Sequence, residues 1–150
     1  MYKLTGGKDM LTATDECIRD ILGNELDSII VCMETATALQ GMSNLFTTNS
    51  ILVYSNRDIK RDNLTVIKVE SLDDIEYDNI RGIKCTTKLR TVRDLLNTSY
   101  NRDYQIICET LSNYYYKHGQ SFEKLEEQLN EKQRLILEEF KQDAIEYYDD

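Results

Sequence analysis

The carboxylates Asp73, Asp74, Glu76 and Asp78 lie within a stretch of six residues and supply the oxygen ligands a hard cation prefers. Their spacing does not fit an EF-hand loop, and a solvated approach to a hairpin accounts for them better. The one histidine, His118, stands far in sequence from Cys17, Cys32, Cys85 and Cys108, and no Cys-x-x-Cys occurs, which argues against a zinc site. A lone histidine at a helix end is ordinarily structural or solvated. Arg90 and Asp94 are four apart on a predicted helix and therefore share a face. Their pairing has two readings. One is a surface ion pair worth ~0.3–0.5 kcal/mol; the other is an arginine held by Asp94 to bind a partner or to fix the helix against a sheet. Tyr114-Tyr115-Tyr116 covers nearly one helical turn, so at least one ring must face outward. Exposed tyrosines are what protein interfaces favour, and Tyr115 is the candidate. No Gly-x-Ser-x-Gly, P-loop or Gly-x-Gly-x-x-Gly is present. A nucleotidyltransferase needs a Gly-Ser turn followed by a strand with paired carboxylates for magnesium, and Ile51-Leu-Val-Tyr54 after Gly41-Met-Ser43 has none. These residues point to a protein that binds rather than catalyses, with no metal and no cofactor expected.

The charge balance narrows the partner. Of 150 residues, 18 are basic and 27 acidic, a net charge of −9. Phosphate neutralisation needs clustered Lys and Arg, so nucleic acid is not the partner expected for the whole surface. The imbalance is uneven: Arg57 to Arg102 holds ten basic and eight acidic residues, whereas Ser121 to Asp150 holds four basic and ten acidic. An acidic C-terminal face is either a solvated helix surface or an arm for a basic partner. Its candidates are Glu126, Glu127, Glu138 and Glu139. The one foothold for DNA is the trio Arg57, Lys60 and Arg61, and the first thirty residues offer a single short helix where a winged helix needs about three. Met1-Tyr-Lys-Leu runs into Gly6-Gly7 without an apolar stretch, so no signal peptide is expected, and no segment approaches the ~20 apolar residues of a membrane span. Four cysteines without paired spacing suit reduced thiols in a cytosol.

The elements that must position these residues are legible in outline. Length suggests one domain, 1–150. Proline is absent, so Gly, Asn and Asp provide the punctuation. Residues 1–11 form an irregular or extended lead-in. Thr12-Ala-Thr-Asp15 has capping-box spacing for a helix to about Leu22, stopped by Gly23. Ser28 to Met33 is a strand or the start of a buried helix, and Glu34 to Gln40 a helix closed by Gly41. Ser50–Tyr54 and Leu64–Val69 are strands joined by a polar, turn-like stretch. Asp74–Ile80 and Ile83–Thr86 form a hairpin hinged at Arg81-Gly82, with Ile75 and Tyr77 on one face. The rest is helical: Lys88–Leu96 capped by Thr86 or Thr87, then a helix capped by Asn101 or Asp103 that runs to about His118. Another follows from Ser121 through Phe122, Leu125 and Leu129. The last begins near Asn130 and carries Leu135, Ile136, Phe140, Ala144 and Tyr147 or Tyr148, unless these two are one bent helix. The expected class is α+β: a small mixed sheet packed against helices, with a helical C-terminal third.

Two cassettes within this frame, Cys32-Met-Glu-Thr-Ala-Thr-Ala-Leu-Gln-Gly41 and Lys88-Leu-Arg-Thr-Val-Arg-Asp-Leu-Leu96, carry a resemblance to the AbiEi family, antitoxins of type IV toxin–antitoxin systems. The likeness runs from about Ile29 to Leu129. Glu34-Thr35-Ala36 and Gly41 match its strand-to-helix motif, with Gln40 where histidine is common. Arg90-Thr91-Val92, Asp94 and Leu95 match its later helix, with Leu89 replacing an acidic residue. The resemblance implies a C-terminal antitoxin domain without the N-terminal winged helix-turn-helix. It further implies neutralisation of a cognate nucleotidyltransferase toxin, with Glu34, Arg90 and Asp94 as residues to test. Two other functions fit the composition. One is a mobile-element protein of anti-CRISPR type that inhibits a host defence nuclease by occupying its nucleic-acid groove. The other is a transcriptional regulator acting through Arg57, Lys60 and Arg61.

Overall fold

The computed structural model describes residues 10–43, 50–97 and 103–147. Residues 1–9 of the expected lead-in, the cap alternative Asn101 and Tyr148 lie outside them, and the last two residues of that lead-in, Met10 and Leu11, are helical instead. Among the described residues, five strands build one mixed sheet flanked by six α-helices, with the C-terminal part helical: an α+β architecture. The strands are β1 (Ile30–Val31), β2 (Ile51–Ser55), β3 (Leu64–Lys68), β4 (Tyr77–Ile80) and β5 (Ile83–Thr86), in the order β3-β2-β1-β5-β4. β1 runs antiparallel to β2 and parallel to β5, where Val31 stands opposite Cys85. β2 and β3 pair in parallel over five residues. The polar stretch 56–63 is therefore a crossover rather than a hairpin turn. The β4–β5 hairpin turns at Arg81 (φ 49°) and Gly82 (φ 88°), and two consecutive positive φ angles are what a two-residue turn needs to match strand twist.

The period of two along the strands sorts the core into two faces. Val31, Ile51, Val53, Ile83 and Cys85 face α1 (Met10–Leu22) and α2 (Met33–Leu39), which contribute Ile18, Leu22, Ala36 and Leu39. Ile30 and Tyr54 face the opposite way, towards α3 (Lys88–Leu95), α4 (Tyr104–Lys117) and α6 (Glu131–Ile145). Each fully buried Leu or Ile there contributes about 1.5–3 kcal/mol. Short α5 (Glu123–Glu127) adds Leu125 to the same side, next to Phe122 and Leu129.

Local signals set several helix starts. Thr87 Oγ1 accepts from Arg90 N at 3.1 Å, Asp103 Oδ1 accepts from Ile106 N at 3.1 Å, and Asn130 with Gln133 forms a complete capping box that makes α5 and α6 separate helices. Ser121 Oγ accepts from Glu123 N at 3.1 Å, although the residue flanking α5 is Phe122. The Thr12–Asp15 box is not used: α1 begins at Met10, and Asp15 is buried with both oxygens on Arg81, at 2.6 and 3.0 Å. Tertiary pairing took the carboxylate that the helix start would have used. Ile75 is buried ahead of β4 while Tyr77 is exposed, because the strand begins only at Tyr77. Leu135 departs from its predicted core position and is exposed, since α6 packs through Ile136, Phe140 and Ala144. No helix among the described residues is long and apolar enough to cross a membrane.

Candidate functional site

The two cassettes, fifty residues apart in sequence, meet in space. β1 and β5 are parallel neighbours, so the helices that follow them, α2 and α3, leave from the same end of the sheet and pack against each other. In mixed and parallel sheets the carboxyl ends of parallel strands are where ligand-facing residues gather. The seam is polar and closed. Gln40 Nε2 donates to the Thr86 carbonyl at 3.1 Å, and the hydroxyls of Thr86 and Thr91, both buried, lie 2.6 Å apart. At the entry to α2, Met33 has a φ of 55°, a left-handed conformation that costs a side-chain-bearing residue about 1–2 kcal/mol. It turns Cys32 and Met33 into the core that underlies α3.

Arg90 and Asp94 form more than a surface pair. Asp94 is 7% exposed; its Oδ1 accepts from Arg90 Nε at 2.9 Å and its Oδ2 from the Tyr54 hydroxyl at 2.8 Å. The Arg90 guanidinium sits 5.6 Å from the centre of the Tyr54 ring and donates to Glu76 Oε1 at 2.9 Å, while Arg93 donates to the other Glu76 oxygen at 2.9 Å. One five-residue network thus joins α3 to β2 and to the segment before β4. Burial pushes the Asp94 carboxyl up, against the pull of Arg90 and Tyr54. Burial likewise raises the Tyr54 hydroxyl, as does the neighbouring Asp94 charge. Burial would lower Arg90, but Asp94, Glu76 and Tyr54 together raise it, so it stays charged. At Glu76 burial is the largest single influence and would raise the carboxyl, but hydrogen bonds from its own backbone, Arg90 and Arg93 together outweigh it and the group is lowered. Cys32, beneath this network, is fully buried, and desolvation followed by the Asp94 charge raises its thiol far above the ordinary value. Cys85 on the other face is pushed up to about 12 by burial. Neither thiol is a nucleophile at neutral pH.

The eight partner-binding candidates fall in three places. Arg90 and Asp94 share the network, and Glu34 stands near it in the first turn of α2 without a bond to either. Glu34 Oε1 is enclosed and has no hydrogen-bond partner among the described residues; burial, then the nearby Asp103 carboxylate, raises the group. Tyr115, half-buried, packs on Phe122 and stands edge-on to exposed Tyr116, while Tyr114 is the buried ring of the trio. Glu126 and Glu138 converge on Lys141 Nζ at 2.5 and 2.7 Å, whereas Glu127 and Glu139 are exposed. His118 stacks on Tyr114 at 3.9 Å, its Nδ1 2.7 Å from the Tyr114 carbonyl.

Tyr54 and Arg93 complete the site without having been singled out, whereas Glu76 was noted only among the carboxylates before the hairpin and Gln40 only where the resemblance has histidine. Tyr54 did carry a signal: its hydroxyl is the one strongly polar group in the strand Ile51–Tyr54, and a buried phenol needs an acceptor. The basic trio is partly committed to structure. Arg57 pairs with Glu25 at 2.5 Å, and Arg61 donates to Asn24 Oδ1 at 2.6 Å and to the Ile21 carbonyl at 3.3 Å. Gly23 (φ 53°) makes room for it, since a Cβ there would lie 2.9 Å from Arg61 Nη1. Among the described residues, no three His, Cys, Asp or Glu side chains converge as a metal site would require. Comparison with protein-family models, with curated proteins and with solved structures finds no match for this chain.

Proposed function

We propose that this chain is an antitoxin-like binding protein that counteracts a nucleotidyltransferase toxin. The observation that carries it is the meeting of the two cassettes. Residues 32–41 and 88–96 resemble AbiEi motifs separately in sequence, and they pack as one helix pair beside the parallel strands β1 and β5. Asp94 and Arg90 act in this reading as positioning residues that hold α3 on the sheet. Glu127 and Glu139, beside the Lys141-bound Glu126 and Glu138, form the contact face. A nucleotidyltransferase holds a triphosphate in a cationic cleft, and an acidic helical face is complementary to such a cleft.

The test is co-expression with any nucleotidyltransferase encoded beside this gene. Growth arrest by the neighbour alone, relieved by this chain and lost again with the double reversal Glu127→Lys/Glu139→Lys, is the expected result. Failure of the soluble chain to restore growth overturns the proposal. The same acidic face favours a second reading, inhibition of a basic defence nuclease. That reading predicts salt-sensitive inhibition without any toxin gene nearby. The bonding of Arg57 and Arg61 to the 3₁₀ turn Gly23–Ser28 weighs against a DNA-binding regulator.

A further inference from the structure

The sheet ends in an open edge with a cationic concavity at its start. Ile51 N donates to the Asn63 carbonyl at 2.8 Å and Val69 N to the Ser55 carbonyl at 2.9 Å. With the in-register pairing of β2 and β3, these bonds fix the phase of the ladder: residues 63, 65, 67 and 69 turn their backbone groups towards β2. Val66 and Lys68 therefore turn their N–H and C=O groups outward, where they have no hydrogen-bond partner among the described residues. The strand is five residues long, the pairing is continuous, and the chain has no proline to blunt it. Where β3 begins, Ile59, Lys60, Arg61, Asp62 and Leu64 line an open concavity of about 550 Å³. Arg61 is held there by two neutral acceptors and Lys60 has no ion pair among the described residues, so against the one carboxylate of the lining, Asp62, the concavity keeps a net positive charge. Lys68, further along, has only a 3.4 Å contact with exposed Asp58.

We infer that the β3 edge receives an extended acidic segment of a partner protein as a sixth strand. Its main chain bonds to Val66 and Lys68, and an acidic side chain enters the concavity beside Lys60 and Arg61. Main-chain pairing at an edge supplies affinity, and the charged concavity supplies selectivity. Charge complementarity chooses this occupant over two others. A second copy of the chain would offer a β3 that carries Lys68 and no carboxylate over Leu64–Lys68, and a nucleic acid would meet a chain of net charge −9 with few unengaged cations. The inference needs a protein partner but no particular enzyme, so it stands or falls apart from the toxin-neutralising reading.

The probe is an acetylated peptide Glu-Val-Glu-Val-Thr-Val-Glu, titrated into the full-length ¹⁵N-labelled chain and compared with its Lys-for-Glu counterpart and a single-stranded oligodeoxynucleotide. At ~1 mM, a concentration suited to weak single-strand recognition, the acidic peptide is expected to shift the Val66 and Lys68 amides and slow their exchange. Two variants should each weaken this about tenfold or more. Val66→Pro removes an outward N–H and no β2–β3 bond; Lys60→Glu/Lys68→Glu leaves the backbone unaltered and serves if the proline variant unfolds. Silence of both amides overturns the proposal, as do shifts confined to other residues. An equal response to the lysine peptide or the oligonucleotide, or concentration-dependent shifts of Val66 without peptide, overturns it in favour of those occupants.

Discussion

Two carboxylate–cation clusters in this molecule use the same groups and do different work. Around Asp94, Arg90 and Tyr54 the side chains are enclosed between α3 and the sheet, with Asp94 7% exposed. Around Lys141, the partners Glu126 and Glu138 have side-chain exposures of 36% and 64%. Distances do not separate the two, because the Lys141 contacts of 2.5 and 2.7 Å are the shorter ones. Surroundings do. Water competes for every surface charge and lowers the pair's value, while an enclosed charge that loses its partner has nothing to replace it. Burial, rather than short contact, marks the cluster that holds the architecture together.

The comparison breaks most readily at Asp94. Asp94→Ala leaves the Arg90 guanidinium and the Tyr54 hydroxyl without their shared acceptor, and should cost about 3 kcal/mol in urea unfolding. A loss below ~1 kcal/mol, the scale of an exposed pair, would put Asp94 in the same class as Glu138. Asn130→Ala asks whether α6 depends on its cap rather than its ion pairs, and should cost about 1 kcal/mol by the same measurement. Lys141→Ala should cost no more than ~0.5 kcal/mol, and that little should vanish in high salt. Glu34→Gln is expected to act in the opposite direction. Glu34 is raised above its ordinary value of 4.5, so the folded chain holds that proton more tightly than the unfolded one. Its penalty is absent below the ordinary value, grows as pH rises from there to the raised one, and is complete above it. The glutamine variant should thus be more stable than the parent at neutral pH, and the advantage should disappear in acid. Thermal melts across that range would show it, and a constant difference would remove Glu34 from the buried class.

How much of this was legible follows from the range of each interaction. Thr87 and Asp103 were each readable as one of two cap alternatives, and Asn130 as the neighbourhood of a helix start, because a cap is decided within three or four residues. Arg81-Gly82 was readable as a hinge because turn chemistry is equally local. Arg90 and Asp94 were readable as a pair, but their burial was not, since the enclosing Tyr54 lies forty positions upstream. Asn56–Asn63 looked like a turn because polarity and length do not distinguish a hairpin from a short parallel crossover; only the Leu64-to-Ile51 register does. Leu135 fitted helical spacing and still faces outward, since periodicity defines a stripe but not its edge. The meeting of the two cassettes depends wholly on β1 pairing with β5, which no local pattern announces.

That pairing also dictates when the molecule can assemble. β1 is two residues long and sits at the centre of the sheet, between β2 and β5. Its parallel neighbour supplies Cys85 against Val31, 54 positions later in the chain. On a ribosome adding about 5–20 residues per second, roughly 3–11 s separate the synthesis of the two. Through that interval the early strands have one flank unfilled, and an apolar segment such as Ile29-Ile-Val-Cys-Met33 has no completed sheet to enter. The nascent chain therefore passes through a window in which its own centre is its stickiest surface.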